Sequence, residues 1–297
     1  MKKCLVIGAA MLDLTMRLDA LPESGDDVYA SSQEMSVGGC AVNAADILKH
    51  YEIPYDLFAP VGTGIYAGIV EEKLKALGHK SMIKSDCQDN GYCLALVENN
   101  GERTFITLAG IECNFKKEWF ENLDPSEYDC AYVSGYEIEG EGGENIIDFF
   151  EQNSQLEVYY APGPRITFIP EEKQRRMEAL HPILHLNDKE ALEYTGEKTC
   201  EAAAAELRKL FGNTVMITMG EKGVLLEDGE SKIIGAIPVK AIDTTGAGDS
   251  HIGTVIAMRK SGRNFEDALK EANHISSLVV QVSGPTLSKD EFIKGDY

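Results

Sequence analysis

The sequence predicts an α/β fold in which a doubly wound, mostly parallel β-sheet is flanked by helices and accompanied by a small second sheet. Short apolar runs alternate along the chain with segments whose apolar residues recur every three or four positions. Residues 14–36 and 91–112 instead alternate in the manner of strands, with no helical segment inside either stretch. The first pattern is typical of a doubly wound sheet, and the second predicts additional β-structure.

The strands of the main sheet are predicted from continuous apolar runs. A central parallel strand is buried on both faces, so it is apolar throughout and is followed by a turn-forming residue. Runs of this kind lie at residues 4–10, 55–62, 130–136, 156–163, 183–187 and 213–220. The helices that connect them are predicted at residues 40–51, 65–78, 143–153, 200–212 and 264–282.

The two exceptional stretches are predicted to pair as a small sheet over one edge of the main sheet. The sequence "ENNGE" at 98–102 is a hairpin turn signal inside the second stretch. Separate surface hairpins are the alternative interpretation. No internal repeat, low-complexity tract or long linker occurs, so residues 1–297 are predicted to form a single domain, with 14–36 and 91–112 as its lid.

The composition excludes several kinds of partner. The chain has 28 basic and 49 acidic residues, a net charge of -21, which disfavours binding to nucleic acid or to an anionic membrane. The seven cysteines are scattered and form no CxxC pair, so neither a disulfide framework nor a zinc site is predicted. No apolar run has the length of a signal peptide core or a membrane span, and we expect a cytoplasmic protein.

The stretch "AIDTTGAGDSHIG" at 241–253 combines glycines with a single carboxylate. Gly246, Ala247 and Gly248 leave their backbone N–H groups open to an anion, and the helix predicted after them adds the positive end of its dipole. Asp249 would then deprotonate an attacking hydroxyl while the N–H groups stabilise a transferring phosphoryl group. By spacing alone, Asp249 could equally be a helix N-cap beside an ordinary turn.

The segment "DTTGAGDSHIGT" resembles the C-terminal signature of the ribokinase-like (PfkB) carbohydrate kinase family. Other segments resemble further motifs of that family, in the same order and over nearly the whole chain. They are "SVGGCAVNAADILKHYEIPYDLFAPVGTG", "LNDKEALEYTG", "ITMGEKGVLL" and "EANHISSLVVQVSGP". The resemblance implies a ribokinase-like fold and an enzyme that uses ATP and Mg²⁺ to phosphorylate a primary hydroxyl of a sugar or nucleoside.

The resemblance also implies roles for individual residues. Asp249 would be the catalytic base, and residues 246–248 would form the anion hole. The acceptor would be held by Asp13, Gly38, Gly39 and Asn43. The nucleotide would be bound by Asn187, Thr218, Gly220, Gly223, Gly248 and Asn273. Glu190 would place Mg²⁺ through water, and a monovalent cation such as K⁺ would lie near Asp243, Thr245, Gly284 and Ser288.

Plainer interpretations of the same residues stay open on sequence grounds. Asn43 on a helix can be solvent-facing, and Asn187 with Glu190 can be a capping pair. The sequence also departs from the family at several positions, among them Gly64, which stands where relatives often carry an aspartate. Met11 replaces an asparagine of ribokinases, and His251 stands where close relatives have an aromatic residue. In the motif that ends at Arg165, alanine replaces the acid, whereas the arginine is retained.

Three interpretations of function follow. A sugar kinase is the leading one. A nucleoside kinase is the alternative within the family, because the flexible apolar side chain of Met11 suits contact with a base. A non-catalytic sugar- or nucleotide-sensing protein is the alternative from another class, although such a protein would not need Asp249. Family resemblance further implies a homodimer that pairs through the lid.

Overall fold

The computed structural model of the protein describes residues 1–293. Its strands are β1 (Lys3–Ile7), β2 (Met11–Leu18), β3 (Ser32–Gly38), β4 (Tyr55–Val61), β5 (Ser81–Lys84), β6 (Tyr92–Glu98), β7 (Arg103–Leu108), β8 (Tyr128–Ser134), β9 (Glu157–Ala161), β10 (Ile183–Asn187), β11 (Val215–Thr218), β12 (Val224–Glu227) and β13 (Ser231–Ile234). Its α-helices are α1 (Cys40–His50), α2 (Ile65–Ala76), α3 (Lys117–Phe120), α4 (Gly135–Glu139), α5 (Gly143–Gln152), α6 (Glu171–Ala179), α7 (Asp188–Thr195), α8 (Cys200–Phe211), α9 (Ala247–Lys260), α10 (Phe265–Val279) and α11 (Lys289–Ile293). Short 3-10 helices lie at Ile111–Cys113, Pro125–Glu127, Gly163–Arg165 and Gly220–Lys222.

The main sheet has nine strands in the order β13-β12-β11-β10-β9-β8-β1-β4-β5. The seven strands from β11 to β5 are parallel, and β12 and β13 add an antiparallel edge. Every apolar run predicted as a central strand is one of these parallel strands, so the predicted fold class is confirmed. The chain leaves β1 toward β4 on one side and later returns to β8 on the other. The carboxyl ends of β1 and β8 therefore flank a topological switch point, where such sheets bind ligands.

The core lies in two layers, one on each face of the main sheet. Successive residues of β1 alternate between them: Val6 packs in the layer that contains α1, α9 and α10, whereas Leu5 and Ile7 pack in the layer that contains α5 and α8. All three are fully buried. Helices α1 and α9 pack in the same layer, and their first turns meet, since Asn43 of α1 is hydrogen-bonded to Asp249 of α9.

The small sheet has four strands in the order β3-β2-β6-β7. The strands β2 and β6 are parallel, and the β6–β7 hairpin turns at the predicted position, with Gly101 N donating to Glu98 O at 2.9 Å. The two exceptional stretches thus pair with each other, and the interpretation as separate surface hairpins is wrong. Strand β2 begins at Met11, three residues before the predicted lid segment 14–36, so Asp13 is part of the small sheet.

Two other features bear on the sequence analysis, the state of the cysteines and the length of the apolar helices. The seven cysteines are all free thiols in the structure. Among the helices of residues 1–293, none has both the length and the apolar character needed to cross a bilayer.

Candidate active site

Asp249 lies in the first turn of α9 and does not cap the helix. The N-cap position belongs to Gly246, which has a φ of 75° and lies so close to Pro285 that a Cβ would meet its ring at 2.5 Å. The Asp249 carboxylate instead accepts a hydrogen bond from Asn43 of α1, with 2.8 Å between Nδ2 and Oδ2. The N-cap interpretation of Asp249 is therefore wrong, and so is the solvent-facing interpretation of Asn43, which is buried.

The backbone beside Asp249 presents open N–H groups. Ala247 N donates to Thr244 O at 3.3 Å and Ser250 N donates to Gly246 O at 2.8 Å, but the N–H groups of Gly248 and Asp249 make no hydrogen bond to other described residues. A Cβ added at Gly248 would meet no atom within 4 Å, so this glycine faces open space. Unpaired N–H groups at the positive end of a 14-residue helix are suited to bind an anion.

The environment of Asp249 favours a carboxylate that can accept a proton. Burial raises its pKa above the usual 3.8, while the amide of Asn43 and the thiol of Cys40 act in the opposite direction. The net upward shift brings the pKa closer to neutral pH, where a general base is most effective. Asn43 itself has a buried Oδ1 without a hydrogen-bond partner among residues 1–293, and a ligand hydroxyl would satisfy it.

A second carboxylate, Asp13, lies against Gly38, the first of the two glycines that precede α1. A Cβ at Gly38 would overlap Asp13 Oδ2, and a Cβ at Gly39 would overlap Ala9 O. Gly39 also has a φ of 108°, which other residues rarely adopt. Only glycines allow the β1–β2 turn and the start of α1 to approach this closely. Burial raises the pKa of Asp13 to about 6.

Glu137 is a site residue that sequence reasoning missed. It follows β8 in helix α4, is fully enclosed, and accepts hydrogen bonds from Ala9 N at 3.0 Å and Ser134 Oγ at 2.6 Å. Burial raises its pKa, and its charge, like that of Asp249, raises the pKa of the Cys40 thiol. An acid just beyond a buried strand was visible in the sequence, but only the strand order places that strand next to β1.

The residues predicted to organise Mg²⁺ form a reciprocal capping box at the start of α7. Asn187 N donates to Glu190 Oε2 at 2.9 Å, and Glu190 N donates to Asn187 Oδ1 at 2.8 Å. Burial raises the pKa of Glu190. The remaining polar atoms, Glu190 Oε1 and Asn187 Nδ2, make no hydrogen bond within the described residues. They fit a hydrated Mg²⁺, which is held largely through its own water molecules.

Four other residues predicted to bind the nucleotide lie at or near the β11–β12 turn. Thr218 Oγ1 donates to Leu186 O at 3.3 Å, and Gly220 begins the 3-10 helix of the turn. Gly223 has a φ of 98°, and a Cβ there would overlap Ile234 O. The amide of Asn273 lies on the far side of this backbone, with Nδ2 at 3.1 Å from Ile234 O and 3.0 Å from Gly235 O. Asn273 thus holds the backbone of residues 234–235 in place.

Asn273 also ends a buried chain of histidines behind the site. His251 Nε2 lies 3.3 Å from Asn273 Oδ1, and His251 Nδ1 lies 3.0 Å from His185 Nε2. Burial lowers the pKa of His251 to about 4 and lowers that of His185 as well. Both rings are neutral at pH 7, and they join α9 to β10 and α10.

Three of the four residues predicted to bind a monovalent cation lie together. Asp243 accepts hydrogen bonds from Thr245 N at 3.0 Å, Thr245 Oγ1 at 2.7 Å and Gly284 N at 3.3 Å. Burial opposes ionisation of this carboxyl, but its hydrogen bonds, with that of Arg103 first among them, hold its pKa well below the usual range. Ser288 makes its hydrogen bonds with Glu291, at 2.8 and 2.6 Å, and caps the last helix.

The structure gives contacts for two of the departures from the family, Met11 and Arg165. Met11 begins β2, where it pairs with Gly38, and its side chain is half-buried. Arg165 forms an ion pair with Glu139 through Nε and Nη2, and its guanidinium lies 4.5 Å from the ring centroid of Phe168. The charge of Arg165 is thus already compensated within the protein.

The comparisons with known proteins agree with this architecture. The family model described as "pfkB family carbohydrate kinase" matches residues 1–291. The chain is 34% identical over 284 residues to the uncharacterized sugar kinase YegV of Escherichia coli K12, covering 93% of this chain and 88% of that protein. It is 25% identical to a ribokinase of Arabidopsis thaliana, over 94% of this chain and 76% of that protein.

Solved structures show the same fold. The ribokinase of Thermotoga maritima superposes with a TM-score of 0.85 at 23% identity, covering 99% of both chains. The Arabidopsis thaliana ribokinase complexed with ribose and ATP gives a TM-score of 0.80 at 20% identity, covering 99% of this chain and 98% of that one. The protein belongs to the pfkB family of carbohydrate kinases. It is therefore a phosphotransferase whose acceptor is a hydroxyl group, and its fold is ribokinase-like.

Proposed function

We propose that the protein transfers the γ-phosphoryl group of ATP to a primary hydroxyl of a small carbohydrate. The observation that carries this proposal is the buried Asp249 carboxylate, oriented by Asn43 at 2.8 Å beside the unpaired N–H groups that begin α9. A proton acceptor and an anion-binding site next to each other are what phosphoryl transfer to a hydroxyl needs.

In this mechanism the residues of the site divide binding, proton transfer and charge stabilisation among them. Asp13 and the free Oδ1 of Asn43 bind acceptor hydroxyls, and Asp249 takes the proton of the attacking one as its oxygen forms the new bond to phosphorus. The N–H groups of Gly248 and its neighbours stabilise the charge on the transferring group, and ADP leaves. Mg²⁺, held through water by Glu190 and Asn187, would neutralise phosphate charge when bound. Closure of the small sheet excludes water as a competing acceptor.

A nucleoside is the second candidate acceptor. The side chain of Met11 lies half-buried on β2, two residues before Asp13, and supplies an apolar surface beside the hydroxyl-binding carboxylate. A non-catalytic sensor is disfavoured, because a protein that only binds its ligand has no need of a buried base oriented by Asn43.

We also propose a cytoplasmic homodimer that pairs through the small sheet. Apolar side chains on its strands are exposed, among them Met35 on β3 and Phe105, Ile106 and Leu108 on β7, each with 45–60% of its surface accessible. Exposed apolar surface of this kind favours association. Light scattering of the purified protein measures the molecular mass, and a mass of 32.5 kDa would contradict the dimer.

The experiment that tests the kinase proposal measures ADP release with ATP and Mg²⁺ over a panel of pentoses, hexoses, sugar acids and nucleosides. Asp249→Asn should lower kcat by about 10²- to 10⁴-fold on the best acceptor, the usual contribution of a general base. Acceptor affinity should be retained, since the amide keeps the contact with Asn43. Asp86→Asn, on an exposed carboxylate, is the matched control. Unchanged turnover in Asp249→Asn would refute the role of Asp249 as the general base. Tight binding of an acceptor without turnover on any acceptor would favour a sensor.

A further inference from the structure

Arg103 of the small sheet contacts the loop that precedes the anion hole. It is the first residue of β7, and its Nη1 lies 3.1 Å from Asp243 Oδ1 and 2.9 Å from Thr245 Oγ1. Thr245 directly precedes Gly246, the N-cap of α9. A single guanidinium therefore joins the small sheet to the start of the helix that carries Asp249.

The same loop is where family resemblance implied a monovalent cation. Asp243 Oδ1 already accepts hydrogen bonds from Thr245 and from Arg103, and its Oδ2 accepts one from Gly284. A K⁺ ion needs oxygen atoms with free lone pairs, and beside Asp243 it would meet a guanidinium of the same charge. Ser288 directs its hydroxyl to Glu291. The residues in this arrangement do not fit K⁺.

We propose that Arg103 takes the place of the monovalent cation at Asp243 and positions the loop that leads into the anion hole. The proposal rests on the kinase function proposed above. A guanidinium is permanently charged, and here its Nη1 donates to the carboxylate of Asp243 and to the neighbouring hydroxyl of Thr245 at once, a contact that a lysine ammonium can also make. Arg103 is a positioning residue, because it acts through Asp243 and Thr245.

The contact differs from an ordinary surface ion pair. The side chain of Asp243 is only 11% exposed, whereas that of Arg103 is 37% exposed, so the guanidinium covers a carboxylate that the loop has already oriented. Exposed pairs between flexible side chains usually contribute little, but here one partner is fixed by hydrogen bonds from Thr245 and Gly284. Because the positive charge comes from the small sheet, the loop receives it only while that sheet lies over the site.

The first test compares phosphoryl transfer in K⁺ and in tetramethylammonium chloride at equal ionic strength. The wild type should change by less than about twofold between the two salts. Arg103→Ala should lose on the order of 10- to 100-fold in kcat in tetramethylammonium, because the loop is misplaced, and should regain about tenfold or more in K⁺. Arg103→Lys should retain most of the activity. Arg17→Ala is the matched control, since Arg17 is exposed on β2 and makes no ion pair within the described residues.

The second test does not depend on catalysis. Thermal unfolding midpoints of the wild type and of Arg103→Ala are measured in the same two salts. K⁺ should raise the midpoint of Arg103→Ala specifically and leave the wild type unchanged. Wild-type activation by K⁺ of tenfold or more, or an Arg103→Ala protein whose midpoint is indifferent to K⁺, would overturn the proposal. If no acceptor is phosphorylated at all, the kinase proposal fails, and the midpoints still decide the role of Arg103.

Discussion

Acid should destabilise the protein through the buried His185–His251 pair, and replacement of His251 by phenylalanine isolates this effect. The pKa of His251 is lowered by burial from 6.5 to about 4. Below pH 6.5 the His251 ring binds a proton in the unfolded chain, whereas in the folded protein it stays neutral down to about pH 4. The contribution of His251 to stability is therefore complete above pH 6.5 and is lost as the pH falls toward 4.

The magnitude follows from the two pKa values. The free energy of unfolding falls by about 1.4 kcal/mol for each pH unit over which the unfolded chain binds one proton more than the folded protein. His251 alone should therefore reduce the free energy of unfolding by about 2 kcal/mol between pH 8 and pH 5. His185 adds to this loss, because burial lowers its pKa too. In His251→Phe the pH-dependent loss should shrink by about 2 kcal/mol, whereas the lost contacts to Asn273 and His185 cost the same at both pH values.

The assay is urea denaturation followed by far-UV circular dichroism at pH 8 and pH 5. The difference between the two pH values is the informative quantity, because the pH-independent cost of the substitution cancels from it. If the wild type and His251→Phe lose equal stability between pH 8 and pH 5, His251 is not the neutral, buried group that its hydrogen bonds indicate.

Two further predictions concern the residues around the base. Gly39→Ala should lower the free energy of unfolding by about 2–4 kcal/mol in urea titrations, because Gly39 has a φ of 108° and a Cβ would overlap Ala9 O; an unchanged midpoint would contradict this geometry. Cys40→Ala should move the acid limb of the kcat–pH profile to higher pH, since the Cys40 thiol lowers the pKa of Asp249, and Cys40→Ser should move it back; an acid limb at the same pH in all three proteins would refute that link.

Much of the fold could be predicted from local sequence patterns. The predicted central strands and connecting helices are present, because burial on both faces of a parallel strand and on one face of a helix leaves a periodic apolar signal in the chain itself. The capping box of Asn187 and Glu190 was also visible, since its partners are three residues apart. The strands β5, β12 and β13 were not predicted, because none of them forms a continuous apolar run as long as those of the central strands.

The residues of the candidate site were less predictable from local patterns than the strands and helices were. Motif spacing pointed to Asp249 and the glycines before it, because the conformational freedom of an anion-binding turn is encoded in adjacent residues. Spacing alone did not separate a base from an N-cap. The distinction depends on Asn43, which is 206 positions away and meets Asp249 only because α1 and α9 pack on the same face of the sheet.

The sequence by itself therefore determined the α/β architecture, the family resemblance and the glycine-rich turn before Asp249, all of which depend on neighbouring residues. Only the tertiary structure decided which distant side chains meet there. Glu137 joins the site because β8 lies beside β1, and Arg103 reaches Asp243 across 140 positions because the small sheet lies over the loop that precedes α9. A polar side chain carries no mark of its distant partner, since hydrogen bonds and ion pairs are selected by position in space and leave no periodic trace along the chain.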